Sequence, residues 1–107
     1  MINHKVKCAN FEIANNNPFT LIAGPCQLES EKHALDVSQE LKKITSELKI
    51  NLIYKTSFDK ANRTSLKGKR GIGLEKSLSI FDKIRKEVGV PVLTDVHTAE
   101  QCAVVAN

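Results

Sequence analysis

Cations crowd one stretch of this chain. Lys55, Lys60, Arg63, Lys67, Lys69 and Arg70 lie between positions 55 and 70, opposed by a single acid, Asp59. Ser57, Asn62 and Thr64 add neutral hydrogen-bonding groups to the same stretch. Such a concentration of positive charge calls for an anionic partner, either phosphate-bearing small molecules or nucleic acid. Two smaller groups stand elsewhere. Gly24-Pro25-Cys26-Gln27 offers a thiol, and Thr94-Asp95-Val96-His97 offers a carboxylate and an imidazole.

These groups need elements to position them, and the apolar pattern supplies candidates. Residues 19–23 form a short apolar run with one Thr, the pattern of a strand covered on both faces. Ser30 reads as a helix N-cap. Ala34, Val37, Leu41, Ile44 and Leu48 then fall on one stripe at helical spacing. A second strand begins at Leu52 and runs to about Ser57, followed by a polar loop to Gly73. Leu74, Leu78, Phe81, Ile84 and Val88 make a second stripe, with Gly89 at the C-terminal cap position and Pro91 just beyond. Residues 90–94 form a third strand. Thr98 and Gln101 have capping-box spacing and open a third helix through Ala103, Val104 and Val105. Upstream, Val6, Cys8, Phe11 and Ile13 suggest a small hairpin turning at Ala9-Asn10, and Asn15-Asn16-Asn17-Pro18 breaks the chain after it.

The order β-α-β-α-β-α with short connections predicts parallel strands and right-handed crossovers. A barrel and an open doubly wound sheet both accommodate it. In either, the loops after the C-terminal ends of the strands form the catalytic face. All three polar groups follow directly on an apolar run, whereas the helix-to-strand connections 49–51 and 88–90 carry nothing comparable. Side chains alternate along a strand, so Lys55 and Ser57 share one face and Asp95 and His97 another. An ammonium held among apolar walls is costly unless paired, and a bound phosphate or carboxylate would pair Lys55.

Composition narrows the classes. The three cysteines, Cys8, Cys26 and Cys102, are odd in number and show no C-x-x-C spacing, which argues against a disulfide framework or a zinc ribbon. No apolar run approaches the roughly 20 residues of a membrane span. The first ten residues lack a signal-peptide core, which makes the cytoplasm the expected compartment. With one Tyr, four Phe and no Trp, stacking platforms for single-stranded nucleic acid are scarce.

Lys55-Thr56-Ser57-Phe58-Asp59-Lys60-Ala61-Asn62-Arg63-Thr64-Ser65 is similar to the K-x-S-F-D-K-A-N-R-[ST]-S segment of the 3-deoxy-D-manno-octulosonate 8-phosphate (Kdo8P) synthases. Gly24-Pro25-Cys26-Gln27-Leu28-Glu29-Ser30 resembles the first-strand loop of that family. Arg70-Gly71-Ile72-Gly73-Leu74 and Thr94-Asp95-Val96-His97 resemble its R-G-x-G-L turn and third-strand end. The resemblance runs from about Asn17 onward. It implies a (β/α)8 TIM barrel, of which residues 17–107 would supply about three βα units, with residues 1–16 as an N-terminal hairpin extension. A complete barrel needs roughly 250 residues.

The implied activity is condensation of phosphoenolpyruvate with D-arabinose 5-phosphate to give Kdo8P and phosphate, a step toward the lipopolysaccharide core, in a homotetramer. Carried over position by position, Lys55 and Lys60 match lysines that hold the phosphate and carboxylate of phosphoenolpyruvate, and Ser57 sits beside that carboxylate. Asn62 and Arg63 match sugar-phosphate contacts that reach a neighbouring subunit's site. Thr64 stands where many members have Ser. Asp95 matches a residue near the sugar hydroxyls and the metal. Lys60 and Asp95 are thereby the implied catalytic residues. Cys26 matches the metal-dependent class of the family, whose sulfur ligand suits Zn²⁺ or Fe²⁺, with Mn²⁺ as a third option. The other ligands of that class, a His, a Glu and an Asp, come from later strands, and His97 is not a substitute for them.

Plainer readings accompany these. Cys26 alone reads as a small buried hydrophobe, Lys67, Lys69 and Arg70 as a solvated loop, and His97 as an ordinary loop histidine. Two other functions compete. One is the related 3-deoxy-D-arabino-heptulosonate 7-phosphate synthase, which takes erythrose 4-phosphate. The other is a non-catalytic phosphate- or RNA-binding module built on the basic loop. The Ala61-Asn62-Arg63-Thr64-Ser65 run favours the Kdo8P branch.

Overall fold

In a computed structural model of the chain, residues 2–59 and 73–107 are described. Their secondary structure is β1 (Val6–Cys8), β2 (Phe11–Ile13), β3 (Thr20–Ala23), α1 (Glu31–Leu48), β4 (Asn51–Lys55), α2 (Leu74–Glu87), β5 (Val92–Leu93) and α3 (Ala99–Ala106). β1 and β2 pair antiparallel, Val6 with Ile13 and Cys8 with Phe11, and Ala9 takes the left-handed conformation that the turn requires. The remaining strands form one parallel sheet in the order β3-β4-β5. Leu21 pairs with Leu52, Ala23 with Tyr54, Tyr54 with Val92 and Lys55 with Leu93. The chain is thus a mixed α/β protein with parallel strands joined by helices.

The core lies on one face of this sheet. Leu52 and Tyr54 are buried there with Ala34 of α1, Ile80, Phe81 and Ile84 of α2, Leu28, Phe58 and Val90, and Leu21, Ala23 and Val92 pack against them. The opposite face is less covered. Ile22 is 53% exposed and Leu93 44%. This corrects the expectation of a strand covered on both faces at residues 19–23. Periodicity reports that a run is apolar, but a partner must be present to cover it.

Helix α1 starts where its sequence places it, with the Ser30 hydroxyl accepting from the His33 N–H at 3.1 Å. Its buried seam differs from the apolar stripe. Ala34, Ser38 and Thr45 are buried, while Ile44 and Leu48 are 42% and 65% exposed. Ala34, with Val37 and Leu41 packed against the core, keeps the first part of the stripe inward, and the departure is confined to its C-terminal end. Burying Ser38 and Thr45 is tolerable because their hydroxyls donate back to carbonyls of their own helix, Leu35 at 3.1 Å and Leu41 at 2.9 Å.

In α2, Phe81 and Ile84 of the expected stripe are buried, Leu74, Leu78 and Val88 are half-buried, and Ile80 and Ser77 join the buried set. Gly89 adopts φ 77°, which reverses the chain into Val90 and Pro91. The second and third strands end short of the extents expected from the sequence: β4 stops at Lys55 and not near Ser57, and β5 keeps two residues of 90–94. Ladder bonds nevertheless continue, from Tyr54 N–H to Pro91 O at 2.9 Å and from Thr56 N–H to Leu93 O at 3.3 Å.

Candidate active site

The C-terminal ends of β3, β4 and β5 meet at one rim. Gly24 is the hinge of this meeting. A Cβ built on it would overlap the Lys55 carbonyl oxygen and lie 2.8 Å from the carbonyl carbon. Only glycine lets the two strand ends approach this closely.

Beyond Gly24 the register slips. Gln27 bridges to Ser57 in parallel, although it is four residues past Ala23 while Ser57 is three past the paired Tyr54. One extra residue is therefore accommodated at Pro25-Cys26, as in a β-bulge, a device that re-aims side chains at strand ends. The loop is stitched down on either side of it. The Thr56 hydroxyl donates to Pro25 O at 2.7 Å, and the Leu28 N–H donates to Ser57 O at 2.9 Å. Cys26 itself is exposed and its thiol free, so the reading of it as a small buried hydrophobe is corrected.

Ser57 is the buried centre of the rim, with no exposed surface. It pairs with Gln27 along the backbone and hydrogen-bonds to the Asp95 carboxylate. Partial burial works against ionisation of Asp95. The hydrogen bonds from Ser57 and from its own backbone, and the charges of Lys55 and His97, outweigh that burial and hold its pKa below the usual value. Asp95 is therefore an anion at neutral pH. Its Oδ1 is buried with no hydrogen-bond partner among the described residues. Lys55, the last residue of β4, is half-buried at this rim.

His97 is held at several points. Its Nε2 lies 2.7 Å from Asp59 O and 3.6 Å from Asp95 Oδ2, and its ring packs 5.9 Å from the buried Phe58 ring. The structure therefore brings Lys55, Ser57, Asp95 and His97 together, with Cys26 on the adjoining loop. Lys60, Asn62, Arg63 and Thr64 lie outside the described residues, as do Lys67, Lys69 and Arg70.

Three contributors escaped the sequence reading: Thr56, Gln27 and the Phe58–His97 packing. Thr56, Phe58 and Gln27 stand inside the motifs quoted above, but nothing in a linear pattern tells which partner each will meet. Among the described residues no three His, Cys, Asp or Glu side chains are grouped to hold a metal ion.

A lysine, a buried serine and an ionised aspartate thus meet at the C-terminal ends of parallel strands, the end at which α/β proteins carry their sites. Comparison with known proteins narrows the class. A family model described as the DAHP synthetase I family matches residues 3–107, and the chain belongs to that family. It is 59% identical over 104 residues to a protein of Brucella anthropi named 2-dehydro-3-deoxyphosphooctonate aldolase. Proteins of the same name from Brucella ovis and Brucella canis are 58% identical over the same length. In each case the match covers 97% of this chain and 38% of the relative, so the chain spans well under half the length of these relatives.

Proposed function

We propose that this chain is the first part of a Kdo8P synthase, which condenses phosphoenolpyruvate with D-arabinose 5-phosphate. The name carried by the Brucella relatives denotes the same eight-carbon acid, since an octulosonate is a 2-dehydro-octonate. The observation that carries the reading is the single rim where Lys55, Ser57 and an ionised Asp95 converge. Two phosphorylated reactants need cations to hold them and an oriented polar group between them. In this reading residues 17–107 supply three βα units of a (β/α)8 barrel, residues 1–16 form the hairpin extension, and the remaining units complete it. The uncovered sheet face at Ile22 and Leu93 would then be the inner wall.

The roles follow the rim. Lys55 and Lys60 hold the phosphate and carboxylate of phosphoenolpyruvate, with Ser57 beside the carboxylate. Asn62, Arg63 and Thr64 take the sugar phosphate. Asp95, ionised and fixed by Ser57, accepts hydrogen bonds from sugar hydroxyls and orients the aldehyde for attack by the C3 carbon of phosphoenolpyruvate.

Cys26 fits as one ligand of a divalent metal, Zn²⁺, Fe²⁺ or Mn²⁺, because the bulge presents its sulfur outward at the rim. The other ligands must then come from outside the described residues. Such an ion, when bound, would supply Lewis-acid polarisation or an activated water. The whole enzyme would work as a cytoplasmic homotetramer. No described helix is long and apolar enough to cross a membrane.

The test is to assay the full-length protein with phosphoenolpyruvate and either arabinose 5-phosphate or erythrose 4-phosphate. Turnover with the five-carbon aldose is expected. Preference for the four-carbon aldose would transfer the protein to the heptulosonate branch, and no turnover with either would end the reading.

A further inference from the structure

Thr56 has no part in the roles assigned above. Side chains alternate along the strand, so Thr56 falls on the side of Leu52 and Tyr54, which faces the core, while Lys55 and Ser57 fall on the other. It has no exposed surface. Its hydroxyl donates to Pro25 O at 2.7 Å, and its N–H donates to Leu93 O at 3.3 Å, two residues before Asp95. One buried residue therefore joins the ends of all three parallel strands.

The contact with Pro25 compensates for the slipped register. Pro25 has no N–H and cannot donate to a ladder. The extra residue accommodated at Pro25-Cys26 takes this part of the loop out of regular pairing. The Thr56 hydroxyl supplies the Pro25 carbonyl with the donor that a regular ladder would have given. Pro25 directly precedes Cys26, whose thiol is exposed and free. Two clamps thus bracket that thiol: Thr56 on Pro25 before it, and the Leu28 N–H on Ser57 O at 2.9 Å after it.

We propose that Thr56 is a positioning residue for Cys26, its hydroxyl fixing the bulge so that the sulfur is already in place when a divalent metal binds. The proposal rests on the reading of Cys26 as a metal ligand. A ligand loop that must be ordered during binding lowers affinity. Loss of a group that orients a metal ligand typically costs about 10- to 100-fold in affinity.

The experiment uses the full-length protein, stripped of metal and titrated with Co²⁺ alone, without substrates. The sulfur-to-cobalt charge-transfer band reports the bond to Cys26 directly. Thr56→Val keeps the shape of the side chain and loses the donor. Thr56→Ala and Thr56→Ser differ from each other by one hydroxyl. Thr56→Val and Thr56→Ala should bind Co²⁺ about 10-fold more weakly, and Thr56→Ser should bind close to the parent. Saturating Co²⁺ should restore both the band and turnover in Thr56→Val, which a packing defect would not allow.

Parental Co²⁺ affinity in Thr56→Val would overturn the proposal and leave the reading of Cys26 intact. So would a Thr56→Ser variant no better than Thr56→Ala, or a turnover defect that persists in Thr56→Val at saturating Co²⁺. If neither Thr56→Val nor Thr56→Ala folds, the hydroxyl serves the fold and not the metal, and the proposal fails. A parent whose bound Co²⁺ shows no sulfur band would sink the reading of Cys26, and the proposal with it.

Discussion

At the scale of single residues, chemistry at the rim depends on what each side chain is freed to do by its neighbours. Asp95 stays ionised because a buried hydroxyl, a backbone N–H and its electrostatic interactions with Lys55 and His97 favour the charged form over the burial that opposes it. Cys26 is exposed, where a thiolate can meet a cation. If it is a ligand, chelation of the full-length protein should abolish turnover, and added divalent metal should restore it. Full activity in the presence of chelator would remove Cys26 from that role.

Tyr54 makes a contrasting case. Its side chain is completely buried, its hydroxyl has no partner among the described residues, and burial pushes its pKa up to about 12. A buried unpaired hydroxyl costs roughly 1–3 kcal/mol. Tyr54→Phe should therefore leave activity intact and leave stability unchanged or raised by about 1 kcal/mol in thermal or denaturant melts. A clear loss of stability would mean that the hydroxyl has a partner.

At the scale of elements, the rim is built by two strand ends brought closer than side chains permit. Gly24→Ala places a methyl group on the Lys55 carbonyl, which is backbone and cannot rotate away. Overpacking of this kind costs about 1–3 kcal/mol and sometimes more, and it displaces Lys55 together with the bulge that carries Cys26. The expected result in the full-length protein is a lower melting temperature together with a loss of turnover larger than the stability loss explains. Gly24→Ala with parental stability and activity would show that the strands can separate at no cost. The helices behave differently. Their caps are local, as at Ser30, where one hydroxyl serves one N–H, and at Gly89, where a positive φ ends the reversal.

At the scale of the whole molecule, the described part of the chain has one well-made core and one unfinished face. Phe19, Ile22 and Leu93 are exposed, and β3 and β5 are the two edges of the three-stranded sheet. Open apolar edges pair with other chains. Expressed alone, residues 1–107 should therefore show no synthase turnover and should associate or aggregate, measured by enzyme assay and by light scattering during gel filtration. A monodisperse, cooperatively melting 107-residue monomer would contradict this, and turnover by it would contradict the need for further barrel units.

Much of this protein was legible along the chain because its determinants are local. The Ser30 cap, the Gly89 terminus, the α2 stripe and the alternation of strand and helix depend on neighbours a few residues away. The three polar groups are recognisable because each directly follows an apolar run. Tertiary structure alone decided which face of α1 is buried, since Ser38 and Thr45 replace Ile44 and Leu48 only where β4 and α2 press against the helix. It also decided that Ser57 would serve Asp95, that Thr56 would hold Pro25, and that His97 would reach Asp59. Those pairs are 31 to 38 residues apart for the last two. No spacing rule carries such information, because the distance between them is set by strands laid side by side.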